Sequence, residues 1–258
     1  MTHTPAAHAP LVILIHGMGR GPRYMKPLRQ FLEVRGFAVD LWSYRSLKHE
    51  IQVFGQRLAH DLNRYALDGG PREVHIVGHS LGGIVARHAL TLGIPSNFGR
   101  VATLGTPHHG CQSALTFKLL SGVATPLAQL KPDPTSWVNQ LARPDGVDIG
   151  TIGSDWDGKV TAAEAHLRGE TDTIVGDSYH PFIVKNPVVH QQVLAFLTNG
   201  RFLPRGVAHA LHERCVADAK RAKVAAKAAA KTDKVEAKAA AKEARREARA
   251  AKKRAGHG

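Results

Sequence analysis

Short apolar runs, each closed by glycine, proline or a polar cluster, punctuate the chain as far as Phe202. Residues 11–15 are a continuous run, Leu11-Val12-Ile13-Leu14-Ile15, the pattern of a strand buried on both faces. Residues 23–35 read as a helix stopped by Gly36, and residues 37–42 as a second strand. Apolar positions at Ile51, Phe54, Leu58, Leu62 and Tyr65 follow helical spacing and predict a helix over 51–67. Asp68-Gly69-Gly70-Pro71 breaks it. A strand at 74–77 runs into a helical pattern over 81–90. Three more strands are predicted at 100–104, 148–152 and 173–175, and a last helix over 187–197. This alternation predicts an α/β fold: a mostly or wholly parallel sheet of about six strands flanked by helices. The stretch 110–144 is different, with four prolines and no strand that can be placed.

Composition adds bounds. The 258 residues are 43% apolar, enough for a sizeable core and one α/β domain. No apolar run reaches the ~20 residues that cross a bilayer, so no transmembrane segment is expected. Residues 1–10 have no basic stretch ahead of an apolar one and make a poor signal peptide. Cys111 and Cys215 are too few for a disulfide framework. One bridge between them stays open, but two free thiols in a reducing compartment is the simpler reading, and a cytoplasmic location follows.

Charge is uneven. From Arg214 onward there are 15 Lys and Arg against 5 Asp and Glu; the remainder has 20 against 16, so most of the +14 sits at the end. Pro204 and Gly206 mark the joint. The expected domains are therefore residues 1–204 and a basic, Ala/Lys-rich helical or disordered tail over 205–258.

Chemistry enters at Gly78-His79-Ser80-Leu81-Gly82, a G-x-S-x-G sequence between a predicted strand and a predicted helix. A strand turning sharply into a helix strains its turning residue, and flanking glycines relieve the crowding, which leaves the serine hydroxyl exposed as a nucleophile. Such a serine needs a base, an acid to orient the base, and donors for an oxyanion. In this topology they follow in the order serine, acid, histidine. Two aspartates compete in the loop after the strand at 148–152. Asp157 is preferred to Asp155 because Gly158-Lys159-Val160 returns its loop to an apolar anchor. His180, between the last strand and the last helix, is the expected base; His190 is the runner-up, with a helical position that suits the surface. His79 adjoins Ser80 in sequence but reads as packing. His16-Gly17-Met18-Gly19 ends the first strand, and a turn there can aim the N–H of Met18 at the same point as the N–H of Leu81, an oxyanion hole.

Three segments together resemble the α/β-hydrolase superfamily: 16–19, 78–87, and Val101-Ala102-Thr103-Leu104-Gly105-Thr106-Pro107-His108-His109-Gly110. Within it the chain is most similar to bacterial triacylglycerol lipases and GPI-inositol-deacylase-like esterases. The resemblance covers about residues 10–200. It implies a Ser80–Asp157–His180 triad, a Met18/Leu81 oxyanion hole, and a cap or lid over an acyl pocket formed by about residues 111–144. The expected activity is hydrolysis of carboxylic esters through an acyl-enzyme, with a small-molecule or lipid ester as substrate and no metal or organic cofactor. Alternatives are thioester or amide hydrolysis or acyl transfer on the same triad, or a polyanion-binding protein with an inactive or secondary hydrolase domain.

In the tail, Lys220, Lys223, Lys227, Lys231, Lys234, Lys238 and Lys242 recur at steps of three and four, a lysine stripe on one helix face with mostly alanine between. No apolar stripe accompanies it. A solvated tail without a dedicated partner is the first reading. Nonspecific contact with nucleic acid or another polyanion is the second, and an anionic membrane surface the third. The last two would place the protein at the nucleoid or the membrane periphery.

Overall fold

A strand whose side chains are apolar on both faces can be satisfied only inside a sheet covered twice. That is the place of 11–15 in the computed structural model, which describes residues 9–67, 70–114, 125–167, 171–175, 178–204, 206–218 and 220–222. The sheet has six strands: β1 (Leu11–Ile15), β2 (Ala38–Trp42), β3 (Val74–His79), β4 (Phe98–Leu104), β5 (Asp148–Ser154) and β6 (Thr171–Val175). Their order is β2-β1-β3-β4-β5-β6, and every neighbouring pair is parallel.

The two faces can be read from residue alternation. Leu11, Ile13 and Ile15 of β1, with Val74 and Ile76 of β3, join one buried cluster. It is covered by α2 (Ile51–Tyr65) and α3 (Leu81–Thr91). Val12 and Leu14, with Val77 of β3 and Ile152 of β5, join the other. There the cover is α1 (Lys26–Glu33) and α7 (Pro187–Asn199).

The helix expected over 23–35 is two pieces, a 3-10 turn at Pro22–Met25 followed by α1. Pro27 has no N–H to donate and is accommodated in the first turn of α1, where no intrahelical bond is required. Helix α7 starts where Asn186 accepts from the N–H of Val188 at 2.8 Å with Pro187 next in line, a capped N-terminus.

Between β4 and β5 no strand occurs among the described residues; residues 112–114 are helical, and the short helices α4 (Thr125–Gln129) and α5 (Trp137–Gln140) follow. Residues 115–124, inside the expected cap, lie outside the described residues, as do Lys223, Lys227, Lys231, Lys234, Lys238 and Lys242 of the tail. The chain divides into two compact units, Met1–His209 and Ala210–Gly258. Residues 206–218 and 220–222 are helical. Neither Cys111 nor Cys215 is in a disulfide bond. Among the described residues no helix is long and apolar enough to cross a membrane.

Phe196 of α7 is 1% exposed and stacks on Phe202 with ring centroids 4.9 Å apart. A Cβ on Gly150 of β5 would lie 2.7 Å from its ring, so the helix rests directly on the strand. Phe196→Ala should therefore cost about 3–5 kcal/mol of stability, read as a lower urea midpoint at unchanged slope.

Candidate active site

The centre of the site is a backbone distortion. Ser80 joins β3 to α3 with φ 52° and ψ −122°, the one positive φ on a non-glycine residue among the described residues. Such a conformation costs about 1–3 kcal/mol and persists only when its surroundings impose it. Here they do. The Ser80 N–H donates to the carbonyl of Leu104 at 2.9 Å, and the Ser80 carbonyl accepts from the hydroxyl of Thr106 at 3.1 Å and from the N–H of Gly83 at 3.0 Å. The turn is so tight that a Cβ on Gly78 would lie 2.6 Å from the backbone of Gly83.

The expected acid and base, Asp157 and His180, lie beyond the carboxyl ends of β5 and β6. The carboxylate of Asp157 is 2.8 Å through each oxygen from Nδ1 of His180. Nε2 of His180 is 3.0 Å from Oγ of Ser80. A carboxylate can only accept, so Nδ1 carries the imidazole proton and Nε2 is free to accept from the serine. One oxygen of Asp157 also accepts from the N–H groups of Val160, at 2.7 Å, and Lys159, at 3.1 Å. Val160 is buried, so the apolar return of the loop aims two donors at the carboxylate. Directly beyond it, Thr161 and Glu164 form a capping box on α6 (Ala162–Ala165), which secures the far end. Asp155 is exposed, and its neighbour Trp156 is 56% exposed.

The other expected residues divide. Met18 and Leu81 line a cavity of about 1030 Å³ together with Ser80 and His180. The loop carrying Met18 passes close by, since a Cβ on Gly17 would sit 3.0 Å from that of Ser80. Leu81 opens α3, where helix geometry leaves its N–H without an intrahelical acceptor. His190 departs from expectation. It is buried, and its Nε2 donates to the carbonyl of Val184 at 2.8 Å, because α7 turns this position onto the preceding 3-10 helix, His180–Lys185. His79 is buried as expected, but it also faces His180, with ring centroids 4.9 Å apart.

Sequence reasoning missed two supports. Gly105, with φ 51°, lies against the pair, where a Cβ would meet Asp157 Oδ2 at 2.8 Å and His180 Nδ1 at 3.2 Å. Arg87, buried in the apolar α3, donates to the carbonyls of His108, at 3.0 Å, and of Leu141 and Ala142. It thereby ties the segment after β4 to the loop that precedes β5. A charged residue in an otherwise apolar helical run was the signal for it.

The alpha/beta hydrolase family model matches residues 12–257. The chain belongs to the alpha/beta hydrolase family. Among solved structures, this alpha/beta hydrolase is similar to Bacillus licheniformis lipase BlEst2 in mature form, at TM-score 0.63 and 21% identity, over 77% of this chain and 94% of that one. It is also similar to a lipase-esterase related protein from Clostridium acetobutylicum, at TM-score 0.53 and 12% identity, over 76% and 98% of the two chains. A hydrolase from Pseudomonas aeruginosa matches at TM-score 0.53 and 16% identity, over 76% and 92%. No curated sequence matches the chain. At these identities the likeness is one of fold.

Burial holds the pKa of both His79 and His108 well below 6.5, so both rings stay neutral in the folded protein. In the unfolded chain they take up protons near pH 6.5. The unfolded state then binds more protons, and stability falls as pH drops below that value. Each ring should contribute about 1.4 kcal/mol of loss per pH unit in that window. Urea unfolding at pH 7.5 and 5.5 measures it, and equal midpoints would contradict two buried neutral imidazoles.

Proposed function

We propose that this alpha/beta hydrolase is a serine hydrolase of carboxylic esters. The observation that carries the reading is one unbroken hydrogen-bonded line, Ser80 Oγ to His180 Nε2 and His180 Nδ1 to Asp157, ending at a serine held in a strained turn. His180 takes the proton from Ser80 as Oγ attacks the ester carbonyl carbon. Asp157 holds the imidazolium that forms. The N–H groups of Met18 and Leu81 bind the oxyanion of the tetrahedral intermediate, a contribution of several kcal/mol in a site shielded from water. Collapse expels the alcohol, which takes the proton from His180 and leaves an acyl group on Ser80. Water, deprotonated by the same imidazole, then releases the acid.

The cavity favours an ester with an apolar acyl part. Its walls include Leu47, Leu127, Leu130 and Val160 beside the serine. Residues Cys111, Gln112, Ser113 and Ala114 line it too, in keeping with a cap drawn from about 111–144. Lipases and carboxylesterases among the similar structures agree with this chemistry. A p-nitrophenyl ester series tests it. Ser80→Ala should lower kcat by at least about a thousandfold, and Asp157→Asn by a comparable factor, whereas Asp155→Asn should stay within a few-fold. Equal effects of the two aspartate changes would reject Asp157 as the acid, and persisting turnover in Ser80→Ala would reject the mechanism.

We further read residues 1–204 as the hydrolase domain and 205–258 as a basic, solvated extension, with contact to polyanions through charge alone as the alternative to be tested. Binding of duplex DNA and of anionic vesicles by the full chain is expected to weaken steeply with salt. A chain ending at His209, the end of the first compact unit, should lose that binding and keep its esterase activity. Indistinguishable binding by the two chains at low salt would retire the polyanion role.

A further inference from the structure

The loop that carries His180 is gripped by two side chains with no part in the hydrolytic cycle. His79 Nε2 lies 3.2 Å from the carbonyl oxygen of His180. The hydroxyl of Tyr24 donates to the carbonyl of Pro181 at 2.8 Å. A carbonyl only accepts, so His79 is the Nε2–H tautomer. We propose that His79 and Tyr24 are positioning residues for His180: two side-chain donors clamp consecutive carbonyls of the base loop and set the reach of the imidazole to Ser80. This rests on the Ser80–Asp157–His180 reading.

The geometry is over-determined in a way that packing alone does not require. The His180 N–H donates to the carbonyl of Asp157 at 2.9 Å, so the backbone of the base is held on both sides of its Cα. The rings are in tilted contact, Tyr24 with His79 at 5.1 Å and 43° and His79 with His180 at 4.9 Å and 42° between centroids and planes. The far side of His79 is closed by Gly17, where a Cβ would come within 2.8 Å of Nδ1. His79 therefore has no room to swing away from the carbonyl. It is also the residue before Ser80, so the clamp links the strand end bearing the nucleophile directly to the loop bearing the base.

Both donors keep their protons where they are needed. Burial, and second the charge of His180, hold His79 well below 6.5, and it stays neutral while His180 becomes the imidazolium. Two cations at this separation would oppose each other in the step that creates the second. Burial pushes Tyr24 up to about 12, so its hydroxyl remains a donor. Arg20 lies over the Tyr24 ring, its guanidinium 5.3 Å from the ring centre.

A misplacement of about 1 Å at a reacting group costs on the order of a hundredfold in rate, so the donors should act on kcat. The test is p-nitrophenyl butyrate hydrolysis by the full-length protein and four variants: Ser80→Ala, His79→Phe, His79→Gln and Tyr24→Phe. His79→Phe keeps an aromatic ring and removes the donor; kcat should fall at least about tenfold with KM within about twofold. His79→Gln restores an N–H donor and should recover kcat to within about threefold of wild type. Tyr24→Phe should lower kcat about three- to tenfold, again with KM held. His79→Phe and His79→Gln falling equally, or His79→Phe leaving kcat unchanged, would overturn the clamp. Should His79→Phe fail to fold, Tyr24→Phe decides, and an unchanged kcat there overturns it. Turnover that persists in Ser80→Ala removes the hydrolase reading itself, whereas Ser80-dependent turnover indifferent to both donors removes the clamp alone.

Discussion

A serine forced to φ 52° at the end of the third strand is the constraint around which this structure is organised. No local preference supports that conformation, so the rest of the fold must. A parallel sheet with both faces buried supplies a strand end that cannot move, and α3 leaves it at once, packed across its own strand. The neighbouring strand supplies the remaining restraint. Leu104 accepts from the Ser80 N–H, and Thr106, two residues on, donates back to the Ser80 carbonyl. The Gly-Thr-Pro-His-His-Gly segment is in this sense part of the nucleophile turn, though it lies more than twenty residues away.

Asp157 and His180 are positioned by a different principle. Asp157 lies on a loop and His180 opens the 3-10 helix His180–Lys185, each beyond a strand's carboxyl end, where a parallel sheet leaves open ground. Loops are mobile unless their backbone polar groups are engaged. The Asp157 loop meets this by turning its own N–H groups inward to the carboxylate and by ending in the capping box at Thr161. The His180 segment closes on itself as a 3-10 helix, in which the Phe182 N–H donates to the Tyr179 carbonyl at 2.8 Å. The carbonyls of His180 and Pro181 accept in addition from side chains of β3 and of the 3-10 turn before α1. Asp157 is held by its neighbours in the chain, and His180 also by residues far from it.

This difference also separates what was legible in the sequence from what was not. The continuous apolar run of β1 announced that strand because burial on both faces leaves no polar alternation to blur it. Asp157 was preferred to Asp155 because Gly158 to Val160, whose N–H groups at Lys159 and Val160 meet its carboxylate, are its neighbours in the chain. His190 and His79 were harder for the opposite reason. A helical pattern shows that one face is apolar without showing what lies against a histidine on its border, and His190 turns inward to the carbonyl of Val184. His79 was read as packing, which its burial bears out. Its bond to His180, a hundred residues away, depends on how the β6 loop folds back over β3, and no local pattern encodes that. Arg87 is intermediate, since its charge stood out in an apolar helix while the carbonyls it serves were unknowable from sequence.

The same contrast explains why the chemistry of this site reads more sharply than its substrate. The reacting groups are fixed by backbone geometry that few sequences satisfy: a positive φ at Ser80, a close approach at Gly83, a carboxylate ringed by its own loop. The cavity walls have no such demand. Leu47, Leu127 and Leu130 reach it from two separate segments, and any apolar side chain of similar volume would close the same space. Replacing one of them changes the volume open to an acyl chain by a methylene or two and leaves Ser80, Asp157 and His180 in place. One such group is worth about 1–3 kcal/mol in discrimination, enough to shift chain-length preference and too little to disturb the fold. The wall residues can therefore vary under selection for substrate while the strained serine and its partners stay as they are.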